Sequence, residues 1–94
     1  MDFFIKNLEE TVDAINKLLD NNVRLVNTKR IRRCNNIKSS NRSKINFIWR
    51  SLEFLAEEGI LEENGISKPK SYKIRADEPI DVKEFISKIK KKIK

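Results

Sequence analysis

Arg42, Ser43, Asn46 and Arg50 lie one, three and four residues apart, and on a helix that spacing gathers them on one side. Their side chains match what base edges offer: a guanidinium suits guanine and a carboxamide suits adenine. Ile45, Ile48, Leu52 and Leu55 form an apolar stripe on the other side. A helix pinned by such a stripe, with donors on its free face, suits the groove of a nucleic acid. The surrounding charge agrees. Between Arg24 and Arg50 there are nine Lys or Arg and no Asp or Glu. Lys29, Arg30 and Arg33 before the helix, and Lys68, Lys70 and Lys73 after it, are candidates for phosphate contacts, which fix register without reading sequence.

Several elements must hold that helix in place. The helix itself is expected over residues 40–58, capped by Ser39 or Ser40 and stopped at Gly59. A first amphipathic helix is expected over residues 1–20, with Phe4, Leu8, Val12, Ile15 and Leu19 as its stripe and Asn21-Asn22 at its end. Residues 23–26 read as a short strand, and Asn27 or Thr28 can cap a helix over 28–34. Ile31 and Cys34 belong on the inner side of that helix, with Cys34 read as a small buried hydrophobe and Ile37 packing from the turn. Residues 60–75 hold two strands, Ile60–Glu63 and Ser71–Arg75, with Tyr72 and Ile74 alternating against Lys73 and Arg75. Between them Asn64-Gly65 signals a turn, and Ile66–Lys70 projects as a basic loop stiffened by Pro69. A last helix over residues 81–94 starts at a capping box of Asp81 and Glu84, with Ile80 and Phe85 as a staple.

Length and composition bound the rest. Ninety-four residues with 38% apolar content support one domain and one modest core. The net charge of +7 favours an anionic partner. It is unevenly placed: residues 1–20 carry two Lys against five acids, and Glu53, Glu57, Glu58, Glu62 and Glu63 form a second acidic patch. Such asymmetry would orient a polyanion on the molecule. The single Cys excludes an internal disulfide and fits a reducing, cytoplasmic setting. The start MDFFIKNLEE carries an acid at position 2 and no sustained apolar run, so no signal peptide is expected. Without any His, a phosphate-cradling Gly loop or a Cys pair, neither an enzyme, a metal site nor a cofactor is expected, and no small-molecule ligand is evident. The terminal KIKKKIK reads first as a solvated face. Its Ile residues would also let it lie on an anionic membrane surface, although no membrane partner is expected.

The order helix, strand, helix, helix, strand, basic loop, strand resembles that of a winged helix-turn-helix domain. N-T-K-R-I-R-R-C-N-N-I resembles that family's second helix and turn. Leu52, Leu55, Gly59 and Ile60 resemble its recognition-helix ending, L-x-x-L-x-x-x-G-hydrophobic. The likeness covers roughly residues 5–75 and points to a superfamily of bacterial and archaeal type. It implies an α+β, mainly helical fold with a two-stranded wing, to which this chain adds a C-terminal helix. It also implies a recognition helix in the DNA major groove and a loop on the neighbouring backbone. By position, the groove-facing residues are then Arg42, Ser43, Asn46, Phe47 and Arg50. Phe47 and Trp49 depart from the family, which often has small or polar residues there. Phe47 either touches thymine methyls or packs against the second helix. Trp49, at the edge of the apolar stripe, is expected in the core, with base contact as the other reading.

The expected function is therefore sequence-specific binding of double-stranded DNA by a transcriptional regulator. The alternatives are a protein-interaction adaptor in a transcription or replication assembly, or a non-specific DNA or RNA binder. The first and last helices both carry long apolar stripes that a small core would not cover, so a homodimer through one or both is expected.

Overall fold

The stripe of the first helix sets the position of the other elements. In the computed structural model, which describes residues 3–64 and 71–93, α1 (Phe3–Asp20) buries Ile5, Leu8, Val12, Ala14, Ile15 and Leu18. It is followed by β1 (Leu25–Val26), α2 (Thr28–Cys34), α3 (Arg42–Glu57), β2 (Leu61–Glu63), β3 (Tyr72–Ile74) and α4 (Val82–Ile93). The strands make one antiparallel sheet in the order β1-β3-β2, so the fold is α+β and mainly helical. Val26 and Glu63 both pair with Tyr72, and Leu25 and Glu62 both stand opposite Lys73. Alternation along β3 turns Tyr72 and Ile74 into the core and Lys73 outward, as its sequence predicts.

Local signals end the first three helices in the same way. Asn22, Asn36 and Gly59 each take positive φ just past a helix, at 60°, 58° and 82°. Behind each, the chain closes by paired backbone bonds: Val23 to Leu18, Ile37 to Arg32 and Ile60 to Leu55, with a second bond from the positive-φ residue itself. This reversal satisfies carbonyls that a helix end leaves orphaned. It also returns an apolar residue, Val23, Ile37 or Ile60, to the core side. The starts are as local. Asn27 accepts from the Arg30 amide at 2.8 Å, and Asp81 accepts from the Glu84 amide at 3.1 Å.

Some expectations are corrected. The long helix begins at Arg42, because Asn41 and not Ser39 or Ser40 caps it, accepting from the Lys44 amide at 3.2 Å. Of three consecutive residues able to cap, the one nearest the stripe wins. Cys34 packs against the core but is half-buried. Trp49 is 46% exposed and lies outside the core. With a step of about 100° per residue it sits a quarter-turn from Ile48, past the edge of what the other elements cover. The Gly65 turn position and the loop residues Ile66, Ser67, Lys68, Pro69 and Lys70 lie outside the described residues, as do Met1, Asp2 and Lys94.

The last helix packs within the chain. α4 packs on α1, burying Ile86 to 6% and Ile89 to 1% exposure, with Val82 and Phe85 half-buried behind them. Its entry is fixed by Asn16, whose amide donates to the Ile80 carbonyl at 2.8 Å and accepts from the Ile80 amide at 2.7 Å. The stripes of α1 and α4 therefore cover each other within one chain. No helix among the described residues is long and apolar enough to cross a membrane.

Candidate nucleic-acid interface

α3 is held from three sides before it shows anything outward. Ile48, Leu52 and Leu55 are buried, and the hydroxyl of buried Ser51 donates back to the Phe47 carbonyl at 2.8 Å. Phe54 meets Phe4 of α1 edge-on, with ring centroids 5.6 Å apart, a favoured aromatic geometry. Near the other end, the Lys44 ammonium donates to Glu10 at 2.8 Å and to Asn7 at 2.9 Å, both on α1. Asn7 is 4% exposed, so this bond satisfies an amide the fold has removed from water.

What remains outward is the face expected from the sequence. Arg42, Ser43, Asn46 and Arg50 are exposed and Phe47 is half-buried. Ser43, Asn46, Phe47 and Arg50 line one shallow, open depression of about 240 Å³. Four of the five thus share one surface, which sets the half-buried Phe47 beside polar Ser43, Asn46 and Arg50, while Arg42 is exposed one residue before Ser43. The face changes sign further along. Glu53 and Glu57 occupy the next outward turns and, with Glu62, Glu63 and Arg75, border a separate acidic hollow of about 500 Å³. Phosphates would be repelled there, so any polyanion is confined to the first half of α3.

The backbone-contact candidates separate. Lys29 and Arg33 are exposed and one turn apart on α2, opposite buried Ile31. Arg30 is exposed too, but its guanidinium donates to the Leu25 carbonyl at 2.9 Å and so also braces β1. Lys73 points outward from the central strand with Glu62 directly opposite, which places a carboxylate beside it. Lys68 and Lys70 lie outside the described residues.

The acid-free run also proves less uniform in space than in sequence. Lys44 is paired with Glu10, Arg24 lies 3.6 Å from Asp77, and half-buried Arg32 donates to the Ile37 carbonyl at 3.0 Å. These three serve the fold, with the neutralising acids supplied by distant segments. Lys29, Arg30, Arg33, Lys38, Arg42 and Arg50 remain exposed. The structural part of Lys44 was missed because its partners lie on another helix. Its only sequence signal is its position beside the stripe, one residue before Ile45. No family model, curated protein or solved structure matches this chain.

Proposed function

We propose that this is a winged helix-turn-helix protein that binds double-stranded DNA and regulates transcription. In this reading α3 is the recognition helix, β2 and β3 are the stem of the wing, and Arg42, Ser43, Asn46, Phe47 and Arg50 face the major groove. The observation that carries it is the outward face of α3. Its donors surround one shallow surface, while the rest of the helix is fixed to α1 by burial and by the Lys44 bonds. Rigid presentation matters because each side chain held in advance loses less entropy on binding. Arg42, Asn46 and Arg50 would read bases, and Lys29, Arg30 and Arg33 would clamp phosphates from α2, joined by Lys68, Lys70 and Lys73 from the wing.

Selection of bound sequences from random duplexes tests this, followed by competition with unlabelled selected duplex, random duplex and RNA at one salt concentration. The proposal expects an enriched motif that outcompetes the other two. Recovery without enrichment would reduce it to non-specific binding.

The adaptor reading is favoured by Trp49 and Phe3, which are 46% and 72% exposed. Large exposed aromatics are typical anchors of protein interfaces. Substituting Trp49 with Ala separates the two readings, since only the adaptor loses its partner without a change in DNA affinity.

A further inference from the structure

α4 is not needed to build the α3 face, yet it is firmly placed and strongly charged. Ile86 and Ile89 fix it to α1, and the paired bonds between Asn16 and Ile80 fix where it starts. Its exposed residues include Lys83, Lys88, Lys90 and Lys91. The acids that face them are Glu84, 3.4 Å from Lys88, and Glu9 of α1, which lines the groove beside Lys83 and Lys90. Lysine therefore remains in excess on this helix. A solvated face needs cations, but it does not need them fixed on one rigid helix.

The position of α4 is as informative as its charge. α1 meets α3 through Phe4, Asn7 and Glu10, lines a groove with α4 through Glu9, and through Asn16 holds Ile80, two residues before α4 begins. At about 100° per residue, Asn7 and Glu9 point roughly 200° apart around the α1 axis. α3 and α4 thus pack on opposite flanks of one helix. A straight duplex lying along α3 would leave α4 uncovered. An anionic membrane is a poorer match, since insertion needs a free apolar face and Ile86 and Ile89 of α4 are already buried.

We propose that α4 is a second phosphate-binding surface, which lets one molecule bridge two segments of nucleic acid. The inference rests on the DNA-binding reading only for the first segment, held by α3. The α4 surface would read no sequence, because lysine offers a point charge rather than a planar fork.

The test is bridging by the full chain. A duplex fixed to beads, loaded with protein, should capture a second, labelled duplex of unrelated sequence, and capture should fall steeply with salt. Changing Lys83, Lys88, Lys90 and Lys91 together to Gln should lower capture by roughly tenfold or more. Affinity for one duplex at dilute protein should stay within about threefold, with the thermal transition unchanged. Sedimentation of the unbound protein as a monomer is also expected, because a dimer could bridge through two α3 helices. Capture that survives the quadruple substitution would overturn the proposal. So would an equal loss of single-duplex affinity, which would put α4 on the same duplex as α3, or wild-type binding to anionic vesicles without capture of a second duplex. Failure of the α3 reading looks different: Asn46→Ala and Arg50→Ala would then leave single-duplex affinity unchanged.

Discussion

Asn16 and Ile80 form a reciprocal pair of hydrogen bonds, 2.8 and 2.7 Å long, across a sequence separation of 64 residues. One carboxamide thereby bonds both backbone groups of Ile80, as a neighbouring strand would. The contact ties the approach to α4 onto the middle of α1.

Replacing Asn16 by Ala leaves the amide and carbonyl of half-buried Ile80 without this partner. We expect a loss of about 1–3 kcal/mol in a urea titration, with amide exchange in α4 accelerating more than in α3. Asn16→Asp keeps the acceptor for the Ile80 amide and should cost less. Equal exchange throughout the chain would show that the pair does not govern α4 separately.

Lys44 should behave as a structural residue although it lies in the basic run. Lys44→Ala removes the donor to the side-chain oxygen of buried Asn7 and should destabilise by about 1–2 kcal/mol. Its side chain is committed to α1, so DNA affinity, measured well below the melting temperature, should change far less than with Arg50→Ala. A large loss of affinity with unchanged stability would put the Lys44 ammonium on DNA.

Gly59 closes α3 at φ +82°, and a Cβ built there meets nothing within 4 Å. The cost of Gly59→Ala is therefore one of backbone conformation, about 1–2 kcal/mol. Gly59→Asn should cost clearly less, because Asn tolerates this region, as Asn22 and Asn36 do. Thermal melts of the two variants give the comparison.

Which parts were legible in the sequence follows from how local their causes are. The Asn27 and Asp81 caps, the Gly59 stop and the stripes of α1 and α3 depend on neighbours within a turn or two, and spacing exposes them. Trp49 was placed wrongly because periodicity gives an angle but not how far the surrounding elements reach. The docking of α4 was missed for a related reason: its apolar stripe announces a partner without saying which. Asn16, an unremarkable polar residue midway along α1, holds the approach to α4. Lys44 and Glu10 likewise meet across 34 positions that no periodicity links. The free face of α3 was readable because it is the complement of a stripe.

Lys68 and Lys70 flank Pro69, and their expected work is on phosphates. Changing both to Ala should weaken selected and random duplexes alike and reduce the slope of log K against log salt by up to about 2. Stability should move by no more than about 0.5 kcal/mol. An unchanged slope in a salt titration would leave these lysines off the DNA and strengthen the adaptor reading.

Asn46 and Arg50 give the sharpest test, because they sit a turn apart on the same depression yet offer different chemistry. If each reads a base edge, alanine at either should cost roughly 1–3 kcal/mol on the selected duplex. The cost on random duplex should be much smaller for Asn46, which is uncharged and has little to offer phosphates. Arg50 should lose some affinity on both, since its charge attracts any backbone. Specificity should then relax at one position for each variant, at an adenine for Asn46→Ala and at a guanine for Arg50→Ala. Repeating the selection with the two variants measures this directly. Unaltered motifs in both would mean that the outward face of α3 is not what reads the sequence, and equal losses on all duplexes would make Arg50 a phosphate contact alone.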